Sequence, residues 1–228
     1  MSSFHLAWPN RWSAGGAVLL VALSGCAGSA EQPPDLSVPV GYEMDGAKFE
    51  VPLGYHYYDS VKRKGRWPRP KEGFAEAGAI AFTALWPGMR PYSEIDKAEF
   101  ETLGFGNKIN VRISPRGELY PIDEWLARMH SGNRLEPVLS DLDGLTRYWD
   151  NYGGTDEGQG SDIYIKDGMG AYFKLDCPRV QAPSPACSVM KEAGRDLQIH
   201  YSFAKAHLPA WREIDRDVEN LIESFAAE

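Results

Sequence analysis

Cysteine, histidine and long apolar runs are all scarce in this 228-residue chain, which holds three cysteines and five histidines. It contains no HExxH, no GxSxG, no GxxxxGK followed by Ser or Thr, and no EF-hand spacing. The usual signatures of zinc hydrolases, serine hydrolases, nucleotide binders and calcium loops are therefore missing. Basic residues also run short, with 24 Lys and Arg against 32 Asp and Glu for a net charge of −8. That balance argues against a general nucleic-acid binder. Low-complexity tracts are absent, and 43% hydrophobic with 12% aromatic residues is the composition of a globular protein.

The most apolar stretch, Ala14 to Leu23, falls well short of the roughly 20 residues that cross a bilayer. Arg11 precedes it and small residues follow, so residues 1–25 read as a signal peptide. Leu23-Ser24-Gly25-Cys26 resembles the lipobox of bacterial lipoproteins, in which the cysteine thiol is lipidated before cleavage in front of it. The resemblance implies lipidation of Cys26 and a mature chain held at the periplasmic face of a membrane. Ala27, where an aspartate would retain the protein at the inner membrane under the enterobacterial rule, implies the outer membrane. An ordinary secretory cleavage beside a chance cysteine is the alternative. Removing residues 1–25 takes away Arg11 and no acid, so the mature charge becomes −9.

With Cys26 assigned to lipid, Cys177 and Cys187 remain in an oxidising compartment and are expected to form a disulfide. They flank the proline-rich segment 178–186, and closing a loop of that size stabilises by about 3 kcal/mol in the chain-entropy model. A metal or redox pair is the other reading, without CxxC spacing or a neighbouring histidine pair to support it.

Residues 26–37 read as the lipidated cysteine and a flexible tether, small and polar with a Pro-Pro pair. Residues 38–228 read as a globular α+β domain, mainly antiparallel sheet with a few helices; two intertwined lobes divided near 135–145 are an open alternative. Alternation over 41–59 predicts a strand or hairpin arm bending near Pro52 to Gly54, and further strands are expected at 77–86 and 108–113. Glu94 to Leu103, preceded by Ser93, and a segment opened by Pro121 predict short helices. From Leu145 the pattern predicts an antiparallel meander with strands at 145–149, 162–166, 171–176, 188–192 and 197–203. Trp211, Ile214, Val218, Leu221, Ile222 and Phe225 then mark an amphipathic C-terminal helix, its other face charged.

No catalytic set, metal site or cofactor is assigned. Two segments are candidates for partner binding. Lys62, Arg63, Lys64, Arg66, Trp67 and Arg69 form a basic surface loop in an acidic protein, suited to anionic headgroups or an acidic partner, or simply to solvation. The glycine-rich segment from Asp150 to Asp162, with Asp156 and Glu157, is a mobile acidic loop suited to a basic partner, with weak calcium binding as a lesser reading. His56, His130, His200 and His207 are scattered, although His200 and His207 could converge; the Asp141 and Asp143 pair carries little weight alone.

The lipobox, together with the stretch from Ile199 to Phe203 and residues Leu208, Pro209, Trp211, Ile214, Val218, Leu221 and Phe225, resembles periplasmic immunity lipoproteins of type VI secretion effectors, particularly those neutralising phospholipases. The resemblance implies an α+β domain that binds a protein toxin; it carries no contact residue over. An envelope assembly or structural lipoprotein is the second reading, and a periplasmic hydrolase the third.

Overall fold

Alternating apolar and polar side chains place one set of residues on each face of a strand, and the strands Phe173–Pro178, Ala186–Ala193 and Leu197–Ala204 follow that period. A computed structural model describes residues 34–68, 72–117, 121–132, 134–151, 160–166, 172–180, 183–194 and 196–227. Strands β1 (Pro39–Met44) and β2 (Ala47–Pro52) make a hairpin, and β3 (Ala75–Glu76) runs parallel to β1, in the order β2-β1-β3. The hairpin turns at Asp45 and Gly46, with φ of 48° and 79°. Both central residues of this tight turn need left-handed backbone, which Asp tolerates and Gly adopts freely. The C-terminus closes the far edge of β2, where the Glu50 N–H donates to the Phe225 carbonyl at 2.7 Å and the Ala227 N–H to the Lys48 carbonyl at 3.0 Å.

The second sheet holds β4 (Ile80–Leu85), β5 (Lys108–Pro115), β6 (Leu135–Val138), β7 (Leu145–Asp150), β8 (Ser161–Lys166), β9 (Phe173–Pro178), β10 (Ala186–Ala193) and β11 (Leu197–Ala204). Its order is β4-β5-β11-β10-β9-β8-β7-β6, every neighbouring pair antiparallel. The meander thus runs unbroken from β6 to β11, and the β4–β5 pair joins its end through β11. The described residues from Asp35 onward form one compact unit.

The two faces of this large sheet have different fates. On the first, Phe82, Val111, Tyr201, Val189 and Leu175 join the main core with Trp211, Ile214, Val218 and Ile222 of helix α3 (Trp211–Ser224), and with Met44, Phe49 and Val51 of the small sheet. Each such large apolar side chain contributes about 1.5–3 kcal/mol on burial. The Cys177–Cys187 disulfide lies in this core, both residues wholly buried, and bridges β9 to β10 beside the Asp176–Ser188 pair.

The second face is covered only in parts. At one end, Leu85 joins Tyr57, Tyr92 and Phe100, the last from helix α1 (Lys97–Glu101), and the chain enters this cluster at Leu36. Lys108, on the same face, is buried with its ammonium donating to the carbonyls of Phe100 and Thr102. At the other end, Ile122, Trp125, Leu126 and Met129 of helix α2 (Ile122–Ser131) pack on Leu135, Ile163 and Ile165.

The α+β class, the C-terminal helix and the meander agree with the sequence reading. The expected strand beyond Pro52 does not form. The chain instead turns through a 3₁₀ segment, Leu53–His56, and a π-helical turn, Tyr57–Lys62. Proline removes a ladder donor there, and the alternation of Tyr55 and Tyr57 serves two cores, since Tyr55 faces the main core and Tyr57 the cluster around Phe100. The first helix is shorter than the 94–103 span, because Ser93 caps a preceding turn by accepting the Asp96 N–H at 3.2 Å. Strand β6 had no expected counterpart.

Candidate functional site: an open sheet face with a basic row

Between its two covered ends, no cluster of described residues packs on the second face of the large sheet over β5, β11, β10 and β9. The register sets Arg112 opposite His200, His200 opposite Met190, and Met190 opposite Lys174, which makes one continuous cross-strand row. Alternation fixes its direction, since Val111, Ile199, Val189 and Phe173, each next in sequence to a member of the row, point into the main core. Arg112 and His200 are exposed, and Met190 and Lys174 half-buried. A second row, Asn110, Ser202, Ser188 and Asp176, runs beside it. Three strand spacings separate Arg112 from Lys174, about 14 Å.

Ion pairing divides the basic side chains, and this row falls with Lys62 and Lys64 on the side that no ion pair engages among the described residues. Arg90, Arg116, Arg134, Arg147, Arg179 and Lys191 each hold a carboxylate. Among the described residues, no ion pair engages Arg112 or Lys174. The Lys174 ammonium instead lies 5.1 Å from the centre of the Trp125 ring, at the edge of α2. Crowding lowers the pKa of His200, and the charges of Arg112 and Lys174 lower it further. Acids stand in the rows on either side, Asp176 two residues from Lys174 and Glu192 two residues from Met190, and Arg116 neutralises Glu192 at 2.8 Å. Gln198, two residues before His200, donates to Ser114 Oγ at 3.1 Å.

The sequence-derived candidates fall elsewhere. Cys26, Arg69, Asp156 and Glu157 lie outside the described residues. Asp162 sits in strand β8, where the strand expected over 162–166 begins, and not in the loop of the partner-binding reading. It is nearly buried, accepting from Arg179 at 2.6 Å and Arg147 at 3.0 Å, and these partners hold its carboxyl below the usual range against the cost of burial. Gly160, just before β8, has φ of 94°, and a Cβ there would collide with the Asp150 carbonyl. Lys62, Arg63, Lys64 and Arg66 are exposed, beginning on the π-helical turn, and Arg63 pairs with Asp59 at 3.0 Å. Trp67 is half-buried, with ring contacts to Tyr57 at 5.9 Å and Tyr92 at 6.1 Å.

The histidines stay apart. His207 rests against Trp86 with its Nε2 3.1 Å from the Gly106 carbonyl, and no hydrogen bond joins it to His200 among the described residues. Asp141 and Asp143 share one cleft, of about 480 Å³. Asp141 accepts from the Tyr164 hydroxyl at 3.0 Å, and Arg212 donates into the cleft, reaching the Asp143 carbonyl at 2.6 Å. No group of three or more metal-ligating side chains occurs among the described residues.

No protein-family model matches the chain. No curated protein is similar to it in sequence. Two solved structures share its fold. One is an immunity protein of the Stenotrophomonas maltophilia type IV secretion system, 16% identical, with a TM-score of 0.58 over 84% of this chain and 94% of that one. The other is the iron-regulated outer membrane lipoprotein FrpD of Neisseria meningitidis, 17% identical, with a TM-score of 0.57 over 83% of this chain and 93% of that one. At such identities the likeness shows the fold, and it extends over nearly the whole of both neighbours.

Proposed function

We propose that this chain is a periplasm-facing lipoprotein, anchored through Cys26, whose domain binds and neutralises an antibacterial effector of a secretion system. Residues 1–25 are its signal peptide, residues 26–37 its anchor and tether, and the outer membrane its site of attachment. The observation that carries the reading is the fold correspondence over 94% of an immunity protein. A second structure of this fold is an outer membrane lipoprotein, which supports the anchored arrangement deduced from Leu23 to Cys26. Inhibition by occlusion needs a broad surface with a few well-placed charged and aromatic groups and no reactive centre. The open face bearing Arg112, Lys174 and Trp125 has that composition.

The finer assignment, a type VI effector of the phospholipase class, rests on the lipobox and the C-terminal segment alone. The type IV immunity neighbour supports the broader class. The lipoprotein neighbour also favours a second reading, an envelope assembly lipoprotein with a resident partner.

Co-expression tests the choice. A susceptible host exporting the toxin candidate encoded beside this gene is expected to stop growing, and to recover when this chain is exported with it. Failure to restore growth against any neighbour-encoded toxin, together with recovery of an envelope protein bound to the chain, would favour the second reading over the first.

A further inference from the structure

We infer that the open face between α1 and α2 receives an acidic α-helix of the protein partner, lying along the strands with carboxylates on Arg112 and Lys174. The inference deepens the effector-binding reading and rests on it for the identity of the partner. Width is the first argument. Arg112 and Lys174 stand about 14 Å apart across four strands, and a helix with its side chains is about 10–12 Å across. A helix laid along β11 and β10 therefore has one cation on each flank.

Charge is the second argument. Arg112 and Lys174 are free of carboxylates among the described residues, on a protein whose net charge is −8. Two unpaired cations in one row attract carboxylate and disfavour a basic segment, so the surface selects by sign as well as by shape. Asp176, two residues along β9 from Lys174, repels a carboxylate placed over it, so the helix's carboxylates are set level with the Arg112–Lys174 row. The floor supplies the rest: Ser188 and Ser202, directly paired, leave room for close approach, and Met190 between His200 and Lys174 offers an adaptable apolar contact. Trp125 at the margin adds an aromatic wall.

The test uses the mature chain carrying Cys26→Ser, isotope-labelled, and a synthetic helical peptide of Glu-Ala-Ala-Ala-Glu repeats at low ionic strength. Its Lys-Ala-Ala-Ala-Lys counterpart is the control. Amide shifts are expected to centre on Arg112, Lys174, Met190 and His200 with the acidic peptide and to be absent with the basic one. The Arg112→Glu/Lys174→Glu chain should keep its melting temperature and bind at least tenfold more weakly. Shifts centred on Lys62 to Arg66, or binding by the double variant within twofold of the parent, would overturn the inference. Co-expression separates the two levels: protection by both the parent and the double variant sinks the surface while leaving neutralisation intact. Lack of protection by the parent sinks neutralisation, and the peptide map still decides the surface.

Discussion

The ammonium of Lys191 on β10 lies 2.7 Å from a carboxylate oxygen of Asp215 on α3. The Tyr201 hydroxyl donates to the same oxygen at 2.8 Å, and Glu219 adds a second acid to the lysine. Lys191 is 7% exposed, so this charge sits at the helix–sheet interface with little water to screen it. Burial and the neighbouring carboxylates push the Tyr201 hydroxyl well above the usual phenol range, and it stays a neutral donor. Asp215→Ala leaves the Tyr201 hydroxyl without this acceptor and Lys191 with Glu219 alone, and is expected to cost about 3 kcal/mol in urea unfolding. Replacing both partners by apolar residues, Lys191→Met with Asp215→Leu, should cost clearly less than Asp215→Ala alone. An equal or larger loss would show that the pair itself stabilises the fold.

His56 makes stability depend on pH. It is buried beneath Tyr42, and loss of solvent lowers its pKa to about 4, against smaller upward effects of the Ala81 backbone and Asp59. The unfolded chain takes up a proton near pH 6.5 and the native chain only near 4, so stability is lost as pH falls through that window. The full loss is about 3 kcal/mol. His200, lowered in the same direction, adds to it. His56→Gln should flatten most of the slope between pH 6.5 and 4, as read by denaturant midpoints. An unchanged slope, or a His56 ring titrating near 6.5 by NMR, contradicts this assignment.

The Cys177–Cys187 bridge closes a sequence separation of ten residues. The loop it closes is held elsewhere too, with Ser184 Oγ accepting the Phe105 N–H at 2.9 Å and Lys205 donating to the Pro178 carbonyl at 3.0 Å. Cys177→Ala with Cys187→Ala is expected to lower stability by about 3 kcal/mol while the fold survives. Mass spectrometry of the purified chain should show both thiols blocked to alkylation until reductant is added; two free thiols without reductant would contradict the bridge.

What the sequence made legible follows from how local each signal is. Helix α3 carries its core contacts, Trp211, Ile214, Val218 and Ile222, at helical spacing within one segment. Strands β9 to β11 alternate because one face is buried along their length, whereas β8 is buried on both faces, with Ile163 and Ile165 under α2. Strand β6 escaped because Pro137 sits in a four-residue edge strand, where a missing donor is tolerated. The basic row was hidden more deeply: residues 112, 200, 190 and 174 become neighbours only through the registers of three strand pairs. Asp162 looked like a loop acid because glycines precede it, whereas its partners Arg147 and Arg179 arrive from β7 and from just past β9.

Neutralisation of a secreted effector is tested most directly by growing a strain deleted for this gene in contact with its secreting parent and counting survivors. The account predicts that the deletion strain falls at least tenfold against the parent, that the intact chain restores it, and that Cys26→Ser restores it incompletely. Survival of the deletion strain at parity, with the parent secreting, would contradict it.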